Sequence, residues 1–501
     1  MNCYMNTKVR RYVTDVIGND FENWKEGDII FINAGTGVGK SHFIKTVLYE
    51  HCKKHNKKIL LLSNRNNLKS QNEIELKDDT GIITCENYQK IEFQNKSDFY
   101  ETLGVYINLA NYDYVIADEC QYFFTDSTYN NYTDISLHNI LNNKSSTKIP
   151  IKIFMTATPR LIKSYFENNN ISIKEYEVEK DYSYINKVVF YYCQNLIEEV
   201  VLDNLEDDEK VLYFCKSAER SYTLHKKYES KSSFICSSYN AEYRPFINHE
   251  ELNNILTEEK FYSQILFTTL CLDNGVNIKD SSIKKVIIDC DDVDTLIQCL
   301  GRYRLIDIND TIDVYIRAKG NQAMGGILST NEKLLKMADE LTELGDVDFI
   351  KKYPREDYGK IIYDSPNVDG GYNKVVNEVM RTKCKERVAF ARVCIDCGKN
   401  GFCDYIIPYL QKEEYTILDT EHKAKTIEEY LEELVGKRLF TEDREKLVDR
   451  IDMRIDGKKR TSISSMNRAI EDMRLPYTIK SNTTKINGKS ERFWLIIKST
   501  I

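Results

Sequence analysis

Residues 34–41 read Ala-Gly-Thr-Gly-Val-Gly-Lys-Ser and follow directly on the apolar run Ile29-Ile30-Phe31-Ile32. A buried strand entering a glycine-rich turn, then Lys-Ser and the amphipathic stretch His42–Glu50, commits this part of the chain to a strand–loop–helix unit. Gly35, Gly37 and Gly39, with Thr36 and Val38 between them, let backbone N–H groups turn inward without Cβ clashes. The start of the following helix adds its positive dipole end. A loop of this kind cradles a triphosphate, with Lys40 reaching the β/γ-phosphates and the Ser41 hydroxyl ligating Mg²⁺. Ala34 stands where the strict pattern begins with glycine. The alternative is a glycine turn in an ordinary αβ loop.

A chain of 501 residues exceeds one core and suggests about three domains. No stretch approaches the ~20 apolar residues of a membrane span, and Met1-Asn2-Cys3-Tyr4 carries no apolar export core. The 14 cysteines are scattered singly, many inside apolar strands, which is the usage of buried thiols in a reducing cytoplasm. The net charge of −8 argues against a uniformly basic coat, though not against local basic grooves.

Apolar β-rich runs alternate with helical patterns up to about residue 320. Strands are expected at 29–32, 59–63, 81–84, 113–117, 151–156, 187–192, 210–214, 233–236, 264–268, 285–289 and 312–316, a spacing that suits two parallel α/β sheets. The polar segment Glu175–Asp181 marks the boundary, and the acidic stretch Glu198–Lys210 reads as the first helix of the second sheet domain. The expected divisions are 1–180, 181–325, a helical region 326–423 and a small module 424–501.

Downstream of the glycine loop, Tyr114-Val115-Ile116-Ala117 runs into Asp118-Glu119-Cys120-Gln121. A strand ending in Asp-Glu puts two carboxylates at the carboxyl edge of the sheet, where ligands of open α/β sheets sit. Asp118 can hold Mg²⁺ together with Ser41, and Glu119 can deprotonate an attacking water. Next, Phe154-Met155 leads into Thr156-Ala157-Thr158-Pro159. In the second half Gln298 and Arg302 lie about one helical turn apart and so share a face.

This series resembles that of the superfamily 2 helicases of the broad DEAD/DEAH-box-like group. Motif I is Ala34–Ser41, motif II is Asp118–Gln121 and motif III is Thr156–Thr158. Motif Ia resembles Ser63-Asn64-Arg65, motif Ib Thr84–Tyr88, and motif IV Val211–Ser217. Motif V resembles Thr268-Thr269 with Asp273–Ile278, and motif VI Gln298–Arg304. The resemblance covers about residues 25–305. It implies two tandem RecA-like domains, ATP as substrate and Mg²⁺ as cofactor. It also implies Gly275 and Asn277 near the nucleotide, Arg302 as an arginine finger with Arg304 beside it, and Thr156 and Thr158 as coupling residues. Gln121 stands where many relatives carry His or Asp. No upstream adenine-reading glutamine is found. Tyr12, Phe21 and Trp24 offer rings, but core packing is the expectation for each.

The resemblance also implies a nucleic-acid strand lying across both sheets, with Arg65, Thr84, Lys216 and Thr269 gripping phosphates. At the C-terminus, Ser462–Met473 reads as a helix, and two strands flank the hairpin signal Asn487-Gly488, which suggests a winged helix. From Met453 to Ile501 eleven Lys/Arg stand against four Asp/Glu. Arg468, Lys480, Lys485, Lys489 and Arg492 are the candidate DNA contacts; a basic protein-docking module is the alternative. Cys394, Cys397 and Cys403 have spacing compatible with zinc, but also fall on a helix where they would be small core residues. The expectation is a cytoplasmic ATP-dependent helicase or translocase, on DNA rather than RNA. The alternative is an ATP-gated clamp or sensor that switches without unwinding.

Overall fold

Strands that read as unbroken apolar runs need cover on both faces, and parallel pairing with helical crossovers supplies it. The computed structural model contains two such sheets. It describes residues 11–63, 81–92, 107–130, 132–142, 148–273, 276–307, 309–366, 370–418, 420–455, 458–473, 475–486 and 489–498. In the first lobe β1 (Ile29–Ala34), β2 (Ile59–Ser63), β3 (Ile83–Asn87), β4 (Tyr114–Ala117), β5 (Ile151–Thr156) and β6 (Lys174–Val178) form a parallel sheet in the order β3-β2-β4-β5-β1-β6. One core packs Ile30, Ile32, Phe43 and Leu48 on one face. A second packs Phe31, Leu62, Phe124 and Phe154 on the other.

The second lobe holds β7 (Ile185–Tyr191), β8 (Lys210–Cys215), β9 (Ser232–Ile235), β10 (Ile265–Thr269), β11 (Ile283–Ile288) and β12 (Ile312–Arg317), in the order β7-β12-β11-β8-β10-β9. Thr416–Ile417 adds a short parallel strand outside β7. Two strands, β6 and Thr416–Ile417, are absent from the sequence expectation. Both are edge strands, and β6 buries only Tyr176 and Val178 while its charged residues face out, so no apolar run marks it. The helix after β7 is also displaced from its expected place, running from Gln194 to Leu202 rather than over Glu198–Lys210.

Past β12, the kinked helix Asn321–Lys352 packs against helix Glu378–Asp396, with the hairpin Ile362–Pro366/Tyr372–Val376 between them in sequence. The hairpin adds two strands to a region expected to be mostly helical. Helix Glu378–Asp396 spans the two lobes. Val379 lies in a first-lobe core, whereas Phe390 and Cys394 lie in a second-lobe core with Phe402, Cys403 and Ile406.

The C-terminal module runs helix Thr420–Leu434, strand Arg438–Leu439, helix Thr441–Ile451, helix Ile463–Asp472 and two long strands, Tyr477–Ile486 and Lys489–Lys498. Its antiparallel sheet places Lys489–Lys498 between Arg438–Leu439 and Tyr477–Ile486, a winged-helix-like order. Leu447, Met466, Ile470, Ile479, Trp494 and Ile496 form its core. Arg450 pairs with Glu199 (2.9 Å) and ties the module to the second lobe.

Candidate active site

Register brings the three motifs of the first lobe to one edge. Asn33 is level with Thr156, and Ala117 with Phe154, so the glycine loop, Asp118-Glu119 and Thr156–Thr158 all leave the sheet at its carboxyl end. The turn needs left-handed backbone at Gly37 (φ 74°) and Gly39 (φ 86°), which glycine adopts without a Cβ penalty. Lys40 is buried, and its Nζ donates to Ala34 O (2.9 Å) and Gly35 O (3.1 Å), the carbonyls at the mouth of its own loop. Helical structure begins at Lys40 and continues, through a π-type turn at Phe43–Leu48, to His55.

Glu119 takes a positive φ of 51°, an uncommon conformation for a side chain other than glycine. The Asp118 Oδ1 accepts the Glu119 N–H (3.0 Å), and among the described residues its other oxygen accepts no hydrogen bond. Burial and the neighbouring Glu119 charge push the Asp118 carboxyl up. Burial would raise Glu119 too, but Lys40, Arg302 and a hydrogen bond from Gln121 overcome it and hold that carboxylate below its ordinary range. The two acids are therefore driven apart, with Glu119 the more readily ionised of the pair.

Gln121 gives motif II its own link. Its Nε2 donates to Glu119 Oε2 (2.7 Å), while its Oε1 accepts the Thr156 hydroxyl (2.7 Å). The Thr158 N–H donates to Thr156 Oγ1 (2.9 Å). An amide can do this because it donates at one end and accepts at the other. The departure from His or Asp at this position thus joins motif II to motif III.

The second lobe closes the site. Helix Val293–Leu300 is capped by Asp292, which accepts the Thr295 N–H, and it carries Gln298; the helix ends at Leu300, so Arg302 lies in the turn beyond Gly301 and not on the helix face that the spacing predicts. A Cβ built on Gly301 would stand 2.8 Å from Thr36 Oγ1, so glycine is what allows this approach to the phosphate loop. The Gln298 side chain is 3% exposed, and its Nε2 has no hydrogen-bond partner among the described residues. Arg302 donates to Val276 O (3.3 Å) and Arg304 to Asn277 Oδ1 (2.9 Å), tying motif VI to motif V. Arg302 outranks Arg304 in its effect on Glu119.

Other expected residues fall less neatly. Thr269 ends β10 and Lys216 directly follows the neighbouring strand β8, but Lys216 is paired with Asp291. Thr84 sits one residue into β3, level with Leu60, and not at the carboxyl edge. Arg65 and Gly275 lie outside the described residues. Arg468 and Lys480 are exposed, as is Arg492, whereas the side chain of Lys489 is not described. Lys480 is level with Leu495, and Arg492 with Thr483, so Lys480 and Arg492 project from opposite faces of the wing. Cys394 and Cys403 are buried core residues, and no group of metal-binding side chains occurs among the described residues.

One residue at the site departs from its expected place in the core, and two others, Lys180 and Arg160, carried no sequence signal. Tyr12, 44% exposed, lies beside the phosphate loop, 3.5 Å from a Cβ at Gly39, whereas Phe21 and Trp24 are core. Lys180, on the segment joining the lobes, comes 3.7 Å from a Cβ at Gly35. Arg160, just after motif III, reaches Asp294 on the motif VI helix (3.5 Å). A lone charged residue in a linker has no periodicity to reveal it.

Residues 6–161 match the family model described as Type III restriction enzyme, res subunit. No curated protein matches the chain. Among solved structures it is similar to S. cerevisiae Dbp5 bound to RNA and ADP BeF3, at 13% identity and a TM-score of 0.40 over 58% of this chain and 78% of that one. It is also similar to Mss116p bound to ssRNA and AMP-PNP (14%, TM-score 0.41, 66% and 78%). A DEAD box protein from the hyperthermophile Methanococcus jannaschii gives 17% and 0.35, over 60% and 84%. The family match falls on the first lobe, the one that carries the glycine loop, Asp118-Glu119 and Thr156–Thr158. Among the described residues no helix is long and apolar enough to cross a membrane.

Proposed function

We propose that this protein is an ATP-dependent translocase or helicase acting on nucleic acid, DNA in preference to RNA. One observation carries the reading: Gly301 packs on Thr36 across the cleft, which brings the Arg302 charge to bear on the carboxylate of Glu119. Hydrolysis then depends on lobe closure, because an arginine from the second lobe stabilises the charge that develops at the γ-phosphate.

Lys40, the loop N–H groups and Gln298, whose Nε2 is unsatisfied, bind and orient the triphosphate. Glu119 accepts a proton from the attacking water, and Gln121 holds its carboxylate while passing the state of the site to Thr156. The free oxygen of Asp118 and the Ser41 hydroxyl are hard oxygen donors that fit Mg²⁺. A cation held there would neutralise phosphate charge. The preference for DNA rests on the winged-helix-like order and the positive excess of the C-terminal module. The cysteines of the described residues are all free thiols, in keeping with a cytoplasmic location.

The second reading, an ATP-gated clamp, draws support from helix Glu378–Asp396, whose ends are cored in different lobes and so limit lobe travel. ATP turnover measured with single-stranded, duplex and forked DNA and RNA, beside strand displacement, separates the two. Nucleic-acid-stimulated turnover that falls roughly 10³-fold in Arg302→Ala supports the motor. Stimulated turnover without displacement supports the clamp. Turnover unaffected by Lys40→Ala refutes both.

A further inference from the structure

Arg160 follows Thr156-Ala157-Thr158-Pro159 directly and opens helix Arg160–Asn168. Its guanidinium meets two carboxylates from two other parts of the protein. Nη2 lies 3.5 Å from Oδ2 of Asp294, on the motif VI helix, and Nη1 donates to Oε2 of Glu386 (3.1 Å), on the helix that spans both lobes. Ser164, one turn along, donates to the other Glu386 oxygen (2.8 Å), so Glu386 is fixed to the first lobe at both oxygens. Asp294 is 4% exposed, and a buried carboxylate without a cation is costly.

We infer that Arg160 is a positioning residue: anchored by Glu386, it holds Asp294 and thereby keeps Gln298, and the turn with Gly301 and Arg302 that follows the motif VI helix, against the phosphate loop. Asp294 and Gln298 are four residues apart on one short helix, so a grip on the first sets the position of the second. The same contact gives the region after the second lobe a task. Helix Glu378–Asp396 carries Glu386 between its first-lobe residue Val379 and its second-lobe residues Phe390 and Cys394. Any shift of that helix pulls on the guanidinium that positions motif VI. Arg160 also connects to motif III through Pro159 alone, which places the junction where Thr156 and Thr158 report on Glu119. Burial drives Asp294 toward its neutral form while Arg160 opposes this, in keeping with a pair whose partner matters to its charge.

This inference rests on the ATPase reading above, and its test separates the two. Full-length wild type, Arg160→Gln, Asp294→Asn, the double variant and Arg160→Lys are compared in ATP turnover at saturating nucleic acid. Small-angle scattering with and without a non-hydrolysable ATP analogue accompanies the kinetics. In Arg160→Gln kcat is expected to fall at least roughly tenfold, with KM for ATP changed less than about threefold, because the phosphate loop is intact. The double variant should be no worse than the worse single one, and Arg160→Lys should recover part of the loss. Compaction on binding the analogue should be lost in Arg160→Gln. Turnover of Arg160→Gln within about twofold of wild type, or losses that multiply in the double variant, overturns the inference. If wild type hydrolyses no ATP, the ATPase reading fails and scattering alone decides: compaction lost in Arg160→Gln supports the positioning role, and compaction kept overturns it. Where Arg160→Gln does not fold, Glu386→Gln, at the more exposed side of the junction, is expected to lower kcat in the same way, and an unchanged kcat there also overturns it.

Discussion

Lys383 sits in the helix that spans the lobes, buried, with its Nζ donating to Phe124 O (2.7 Å) and more weakly to Thr125 O (3.4 Å). Burial pushes its ammonium down from 10.5 to about 8, aided by Arg387 and opposed by Asp292. Holding the charge in the folded protein at pH 7 therefore costs roughly 3 kcal/mol. The sign follows from proton counts. Between pH 8 and 10.5 the unfolded chain holds a proton that the folded one has released, so stability rises with pH across that window. The penalty is complete below it. Lys383→Met keeps a long unbranched side chain and removes the charge. It also removes two donors, worth about 1–2 kcal/mol together. The carbonyls are not orphaned, because Ser127 donates to Phe124 O (2.7 Å) and Thr128 to Thr125 O (3.3 Å). The net expectation is stabilisation of about 1–2 kcal/mol at pH 7, turning into a small loss above pH 10.5. The chain has two tryptophans, Trp24 in the first lobe and Trp494 in the C-terminal module. In a Trp494→Phe background, urea unfolding followed by Trp24 fluorescence at pH 7 and pH 10.5 reads the lobe that Lys383 touches. A lower midpoint for Lys383→Met at pH 7, or the same difference at both pH values, would refute the reasoning.

Two further outcomes follow from the geometry. Gly301→Ala puts a methyl group 2.8 Å from Thr36 Oγ1 and 2.9 Å from Thr36 Cγ2, so ATP turnover should drop at least roughly tenfold, and Thr36→Ala in the same chain should recover part of it. On the wing, Arg492→Ala and Lys480→Ala lie on opposite faces, so fluorescence anisotropy with duplex DNA should show one of them lowering affinity and reducing the salt slope by about one, and the other doing neither.

The glycine loop and the Asp-Glu strand end were legible in the sequence because each couples a local backbone rule to a chemical one. The helical face expected to join Gln298 and Arg302 does not form, because the helix ends at Leu300 and Arg302 lies in the turn beyond it. Hydrophobic patterning located eleven of the thirteen strands in the two main sheets. It failed at β6, whose Lys174 and Glu175 stand out into solvent while Tyr176 is buried. It failed for the hairpin at Ile362–Pro366 because a two-stranded unit lying against helices carries no long apolar alternation. The wing was found from Asn487-Gly488, yet the facing of its basic residues depends on register: Lys480 opposite Leu495 turns one way and Arg492 opposite Thr483 the other. Arg160, Lys180 and Gly301 act across the cleft, and contacts made between lobes leave no periodic trace in either one.

Charge crowding explains why these pieces come together around a nucleotide. Lys180 is pushed down chiefly by burial, with Lys40 adding to the shift, although Asp294 and Glu177 pull the other way. Lys40, in turn, lies 3.9 Å from Glu119, which also feels Arg302 and Arg304. Cations from the loop, the linker and the second lobe thus converge on a turn whose backbone N–H groups already present partial positive charge. The carboxylates beside them offset only part of this: Glu119 is held ionised by these same cations, while burial and Glu119 push Asp118 up to about 6. A ligand with several negative charges relieves the repulsion in one step, and it does so most fully when the lobes are together and Arg302 is near. On the proposed function, binding and closure are the same electrostatic event seen from two sides, and hydrolysis, which divides that charge between two products, would weaken the closed state it required.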